Sequence, residues 1–240
     1  MKKPAMILFD YGQTLGNETA FNGVAGTRAV MQHAVRNPHG YTAEDVQAHA
    51  EAINRELGRF NPVARLKNII EIPNHMFTSY LYQSMGIELS LTPAQIDRIF
   101  WDAAAPAVPT DGIAGLLSDL HAQGIRTGVI SNITYDGAIV AERISSLLPE
   151  HHFEFIIATS DYMFRKPDSR IFTLALEKAG LAPDDVWYIG DHYGFDVLGA
   201  RGAGLFPVWY IGASSATDAH PDVLTIRHWR ELSALLETLS

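Results

Sequence analysis

Short apolar runs alternate with helix-period stretches along most of this chain. Five runs stand out: Ala5–Phe9, Arg126–Ile130, Phe153–Ala158, Val186–Ile189 and Phe206–Ile211. Runs of this kind and length read as strands buried on both faces of a parallel sheet. Between the second and the fifth, strand and helix alternate at short spacing, which predicts parallel strands joined by crossover helices. Ile113, Leu116, Leu117 and Leu120 form one helical stripe, with Gly124 as its stop. Ile171 to Ala179 predicts another helix, stopped by Gly180, and Trp229, Leu232, Leu236 and Leu239 a closing amphipathic one.

The stretch from about Leu15 to Pro109 has a different pattern. No strand interrupts it, and several helix starts can be read. Thr42-Ala43-Glu44-Asp45 resembles a capping box, and Thr92-Pro93-Ala94-Gln95 supplies a cap, a first-turn proline and a third-position partner. Asn74 to Met85 carries Met76, Phe77, Tyr80 and Leu81 at helical spacing before Gly86. The expected organisation is an α/β core from residues 1–15 and 110–240 with an all-helical cap, residues 16–109, inserted after the first strand. There is no internal repeat and no low-complexity segment.

Composition narrows the class. The 240 residues are 47% hydrophobic and 19% charged, as in a folded globular chain. Eighteen basic and 27 acidic residues give a formal charge of −9 without a basic stripe, which argues against nucleic acid or an anionic membrane as partner. Cysteine is absent, so disulfides, thiolate catalysis and cysteine metal sites are excluded. The opening Met1-Lys2-Lys3-Pro4 leads into an apolar run too short for a signal peptide, and no stretch reaches the roughly 18 apolar residues of a membrane span. The expected location is cytoplasmic.

The candidate chemistry lies where the predicted strands end. Asp10 follows the first, Ser131 and Asn132 the second, and Lys166 the third. Asp191 follows the fourth, with Asp196 five positions on. In a parallel sheet all carboxyl ends lie on one edge, so these residues converge. Each has an ordinary structural reading alone: Asp191 as a helix N-cap, Ser131 and Asn132 as turn residues, Lys166 as a solvated surface charge. Together, two or three carboxylates, an ammonium and a hydroxyl suggest a site for Mg²⁺ and phosphate.

With these residues in that order, the chain resembles the haloacid dehalogenase-like (HAD) hydrolase superfamily over nearly its whole length. Asp10 and Thr14 match the first motif, Asp-x-Asp-x-Thr, except at its third position. Ser131 matches the second motif, Lys166 within Lys166-Pro167-Asp168 the third, and Gly190-Asp191 with Asp196 the acidic fourth. The resemblance implies a Rossmann-like core of five parallel strands and a phosphatase acting on a small phosphorylated metabolite. In such an enzyme Asp10 attacks phosphorus and forms an aspartyl-phosphate. Asp10, Asp191 and the Gly12 carbonyl hold magnesium, and Lys166 and Ser131 stabilise the phosphoryl oxygens. Asn132 and Thr14 help bind phosphate, and Asp196 orients the metal site or Lys166.

Gly12 departs from the pattern. The acid expected there protonates the leaving oxygen and later activates water, a contribution of about 10²–10⁴-fold. Three explanations follow: a phosphate-binding protein with impaired catalysis, a substrate with a good leaving group, or a replacement acid. Candidates for that acid are His192 or a cap histidine among His33, His49 and His75. Two related chemistries remain. Dehalogenases need no metal and lack such an acidic fourth motif, and phosphonatases require a cap lysine, for which Lys67 is the sole candidate.

Overall fold

The computed structural model describes residues 2–213 and 220–239. The chain opens with β1 (Met6–Phe9) and β2 (Gly16–Glu18), then α1 (Gly23–Met31), β3 (Ala34–Arg36), α2 (Ala43–Glu56) and α3 (Pro62–Lys67). There follow α4 (Asn74–Ser84), β4 (Glu88–Leu89), α5 (Pro93–Ala104) and β5 (Ala107–Pro109). Next come α6 (Ile113–Ala122), β6 (Arg126–Ser131), α7 (Gly137–Leu147), β7 (Phe153–Ala158), α8 (Thr159–Tyr162) and α9 (Ser169–Ala179). The chain closes with β8 (Val186–Gly190), α10 (Leu198–Gly202), β9 (Phe206–Tyr210), β10 (Leu224–Ile226) and α11 (Trp229–Glu237).

The main sheet is parallel, in the order β10-β9-β8-β1-β6-β7. All five expected strands are present. The sixth, β10, corrects the expected count: three residues at the sheet edge are too few to show as an apolar run. Because β1 is the innermost strand, its side chains are buried on both faces. Ile7 and Phe9 pack with Ile113, Leu116 and Leu120 of α6, and Leu232 of α11. Met6 and Leu8 pack with Ile171, Phe172 and Ala175 of α9. The chain leaves β1, returns beside it as β6, then crosses to its other side as β8. Strand order therefore reverses at β1, the position where open α/β sheets bind ligands.

The helices between β2 and β5 bury their own apolar cluster, including Val30, Val46, Leu81, Tyr82 and Ile96. Both predicted capping boxes form: Thr42 with Asp45, and Thr92 with Gln95 behind Pro93. This segment is not all-helical, however. β3 and β4 pair antiparallel, with an Arg36–Glu88 ion pair of 2.8 Å across them. Strands of two or three residues carry no alternation that sequence can show. The predicted stripe on α4 also turns: Met76 and Tyr80 are about 60% exposed, whereas Thr78, Leu81 and Tyr82 are buried. Its first residue sets that rotation, since Asn74 donates its backbone N–H to Thr134 O (2.8 Å) and its amide to Asp97 (2.7 Å).

The two connections to this helical segment are tied to the sheet edge. β2 and β5 pair antiparallel, Gly16 opposite Pro109. Buried Arg143 on α7 donates to the Tyr11 hydroxyl (2.8 Å), to Asp102 (2.7 Å) and to the Ala105 carbonyl, and lies 4.2 Å from the Trp101 ring centre. Trp101 in turn donates to Glu18 (2.9 Å). One guanidinium thus links the residue after Asp10 to the C-terminal end of α5 in the insertion.

Candidate active site

Asp10 sits one residue beyond β1, and its backbone N–H continues the ladder to Ile189 O (2.8 Å). The register pairs Phe9 with Val129 on one side and with Ile189 on the other. Ser131 at the end of β6 and Asp191 after β8 therefore flank Asp10. The Asp10, Asp191 and Asp196 carboxylates each offer an oxygen within 4.8 Å of the others.

Lys166 is 1% exposed, and its ammonium spends all three protons inside the site. It donates to Asp10 Oδ1 (2.7 Å), Asp196 Oδ1 (2.6 Å) and the Tyr188 hydroxyl (2.6 Å). Tyr188 lies 3.0 Å from the Ile130 carbonyl, to which it donates. Lys166 itself is held by its backbone: Asn132 Oδ1 accepts its N–H (2.8 Å) and Asn132 Nδ2 donates to its carbonyl (2.9 Å). The Asn132 amide, expected at the phosphate, is thereby committed to positioning the lysine.

Asp196 lies on a single π-helical turn, Tyr193–Val197, and its Oδ2 accepts the His192 N–H (2.8 Å). Gly190 makes room for it. A Cβ at Gly190 would fall 2.3 Å from the Asp196 carboxyl carbon, so the glycine is a packing requirement of the acidic motif. His192 Nδ1 accepts the Phe195 N–H (3.1 Å), which leaves the ring's proton on Nε2. A neutral ring in that tautomer has no free basic nitrogen, and burial lowers its pKa further. His192 caps the turn; it is not set up as the missing acid.

The acidic trio repels itself electrostatically. Burial pushes Asp191 up to about 8, with the charges of Asp10 and Asp196 adding to it. Burial likewise raises Asp10 to about 6, against the pull of Lys166. Burial works against the Lys166 ammonium too, but Asp10 and Asp196 outweigh it and its pKa is raised. One lysine cannot neutralise three carboxylates whose oxygens lie within 4.8 Å of one another. A hard divalent cation, which takes a few carboxylates plus carbonyl and water oxygens, fits this donor set.

The remaining predicted residues occupy different surroundings. Gly12 opens the loop after Asp10, with Gln13 in left-handed backbone (φ 55°) and the Gln13 N–H bonded to Gly16 O (2.7 Å). A Cβ built on Gly12 meets nothing within 4 Å, so neither packing nor conformation demands glycine there. Thr14 is wholly buried, its carbonyl accepts from Thr110 Oγ1 (2.6 Å), and its hydroxyl has no hydrogen-bond partner. His33, His49, His75 and Lys67 are all exposed, and none lines the cavity described next.

That cavity, about 810 Å³, lies between the helical segment and the loop after β6. Asn132, Ile133 and Tyr135 form its sheet-side wall, and Phe77, Trp101 and Arg59 face them from the insertion. Trp101 stacks on Tyr135 with ring centres 4.6 Å apart. Tyr188 carries no signal in the sequence, because an aromatic within an apolar run marks packing. The cavity arginines were equally silent, being scattered charges on a helical segment.

The site and fold together define a hydrolase with an acidic strand-end centre and a helical lobe above it. The chain belongs to the haloacid dehalogenase-like hydrolases, whose family model matches residues 7–209. It is 27% identical over 211 residues to the pyrimidine 5'-nucleotidase YjjG of Escherichia coli (strain K12), covering 85% of this chain and 84% of that one. Among solved structures it is similar to a 2-haloacid dehalogenase from Pseudomonas syringae pv. Tomato DC3000, with TM-score 0.66, 19% identity and 99% of both chains covered. It is also similar to a HAD phosphatase from Thermococcus onnurineus, with TM-score 0.64, 18% identity, and 100% of this chain and 99% of that one covered. Among the described residues no helix is long and apolar enough to cross a membrane.

Proposed function

We propose that this protein is a magnesium-dependent phosphatase of a small phosphorylated metabolite, working through an aspartyl-phosphate on Asp10. The observation that carries this reading is the Lys166 ammonium bonded to Asp10 and Asp196 beside Asp191. Lys166 fixes the orientation of the Asp10 carboxylate while keeping it ionised and nucleophilic. Asp10 forms the bond to phosphorus, the bond from phosphorus to the leaving oxygen breaks, and water then releases inorganic phosphate from the acyl phosphate. Asp10, Asp191 and the Gly12 carbonyl would hold Mg²⁺, which when bound offsets negative charge on the transferring phosphoryl group. Ser131 donates to the phosphoryl oxygens, as does Lys166 once it gives up one of its three hydrogen bonds, and Asn132 and Asp196 hold Lys166 in place. Thr14 supports the loop from below. His192 shapes the turn carrying Asp196.

Residues 1–15 and 110–240 form the catalytic core in this reading, and residues 16–109 a cap that bounds the substrate cavity. With glycine at position 12, the departing oxygen leaves without a proton from that position, which favours esters of acidic alcohols and acyl phosphates. Haloacid chemistry requires no cluster of three carboxylates, and the mutual repulsion at Asp191 speaks against it. Phosphonate cleavage through a Schiff base needs a cavity lysine, and among the described residues none lines the cavity. A panel of phosphorylated metabolites with and without Mg²⁺ tests the proposal. Mg²⁺-dependent phosphate release, abolished in Asp10→Asn, is expected. Release unchanged by Asp10→Asn or by complete metal removal would overturn it.

A further inference from the structure

The cavity carries more positive charge than its own carboxylates account for. Arg59 and Arg65 line it from the helical segment, and Arg165, next to Lys166, is buried outside its lining. Arg59 is 8% exposed and Arg165 3%. Arg165 pairs with buried Glu71 at 3.7 Å, and Glu71 is also the acceptor for the Thr159 hydroxyl (3.2 Å). Neither Arg59 nor Arg65 makes an ion pair among the described residues. Arg59 uses one terminal nitrogen on the Ile72 carbonyl (3.0 Å) and rests 4.8 Å from the Phe77 ring centre. The Nε–H groups of Arg59, Arg65 and Arg165 are buried without any hydrogen-bond partner, as is a terminal nitrogen of Arg165.

Leaving buried charged donors unmade is costly, about 1–3 kcal/mol or more for each. Burial lowers the pKa of all three arginines, Glu71 opposes it, and the cations around Arg59 and Arg165 depress those two further. Arginine does not respond by losing its proton; its planar fork is complementary to an oxyanion. Arg165, the residue before Lys166, holds its guanidinium 5.6 Å from the Phe195 ring centre, beside Asp196. Asn132, which lines the cavity with Arg59 and Arg65, follows Ser131 and grips the Lys166 backbone, so the cavity borders the acidic centre.

We propose that Arg59 and Arg65, backed by Arg165, form a second anion subsite, and that the substrate is a phosphate monoester bearing a further oxyanion, a carboxylate or a second phosphate. This rests on the phosphatase reading. The scissile phosphate meets Lys166 and Ser131 at the sheet edge, while the distal anion meets the arginine forks. Phe77 and the Trp101–Tyr135 stack border the space between, which suits a flat or apolar spacer.

The test compares 4-carboxyphenyl phosphate with 4-carbamoylphenyl phosphate, near-isosteres differing in distal charge, and adds 1,4-phenylene bisphosphate to separate a carboxylate from a phosphate preference. Their binding to Asp10→Asn protein is measured by calorimetry, and their turnover by the wild type by phosphate release. A distal oxyanion on paired guanidiniums is expected to tighten binding about tenfold or more over the carbamoyl ester. Arg65→Gln should bring that ratio close to one, and Arg65→Lys should restore part of it. If Arg59→Gln fails to fold for want of its bond to Ile72, the Arg65 variants, on a half-buried residue, still decide. Equal affinity for the charged and neutral esters would overturn the subsite. Turnover of neither ester would overturn the phosphatase reading, while the binding ratio would still judge the arginines.

Discussion

Asn132 grips the backbone of Lys166 on both sides, accepting from its N–H at 2.8 Å and donating to its carbonyl at 2.9 Å. The pair joins the loop after β6 to the segment after α8, and it fixes where the ammonium that organises Asp10 and Asp196 begins. Replacing Asn132 by Asp keeps the acceptor, loses the donor and adds a negative charge. Two lost or inverted hydrogen bonds are worth about 1–3 kcal/mol, or about 5–150-fold in rate. We expect Asn132→Asp and Asn132→Ala to lower kcat by that factor with KM changed much less, and to lower the melting temperature modestly. A steady-state comparison on one ester, with a thermal melt, checks both. A variant raising KM alone would return Asn132 to direct substrate contact.

The open space at Gly12 makes a gain-of-function prediction. A Cβ there meets no atom within 4 Å, so Gly12→Asp is expected to fold with wild-type stability. If the missing acid limits turnover of poor leaving groups, the variant should raise alkyl phosphate hydrolysis by up to the roughly 10²–10⁴-fold that general acid catalysis supplies. Aryl phosphates, whose leaving oxygens need little protonation, should change far less. Wild-type rates equal across both classes would instead point to another proton donor in the cavity.

Much of this arrangement was legible in the sequence because parallel strands share an edge. Asp10, Ser131, Lys166 and Asp191 needed only to end predicted strands or follow them closely for their convergence to follow. The helical start signals at Thr42 and Thr92 were local and equally readable. What escaped was long-range or unpatterned. Tyr188 reads as one more apolar residue of β8, yet its hydroxyl meets Lys166 across the sheet. β3, β4 and β10 are too short for a period to emerge. The arginine cluster gathers residues from three separate stretches of chain, and only packing brings Arg59, Arg65 and Arg165 together. The rotation of α4 was set by Asn74 contacts to Thr134 and Asp97, which no hydrophobic stripe encodes.

Gly190 shows how tightly the acidic motif is built. An alanine there places its Cβ 2.3 Å from the carboxyl carbon of Asp196, a side chain bonded to Lys166 and to the His192 N–H. The neighbour cannot yield without breaking those bonds, so Gly190→Ala should cost more than the usual overpacking penalty of about 1–3 kcal/mol. We expect reduced melting temperature and loss of activity together. Urea titration of the purified variant checks this, and a midpoint within error of the wild type would mean that the turn relaxes freely.

Protons compete with magnesium for the acidic trio. In the metal-free protein burial raises Asp191 to about 8 and Asp10 to about 6, whereas an unfolded aspartate titrates near 3.9. Between those limits the folded state binds more protons than the unfolded one, so stability falls as pH rises. The melting temperature of EDTA-treated protein should therefore decline from pH 5 to pH 8.5 as these acids ionise against one another. Mg²⁺ should reverse the trend, because it binds the ionised carboxylates and its affinity grows as protons leave. The stabilisation on adding saturating Mg²⁺ is expected to be small near pH 5 and to increase steadily toward pH 8, following RT ln(1 + [L]/Kd). Thermal melts across that range, with Ca²⁺-free Mg²⁺ and with EDTA, measure it directly. A Mg²⁺ shift independent of pH would place the cation away from Asp10 and Asp191.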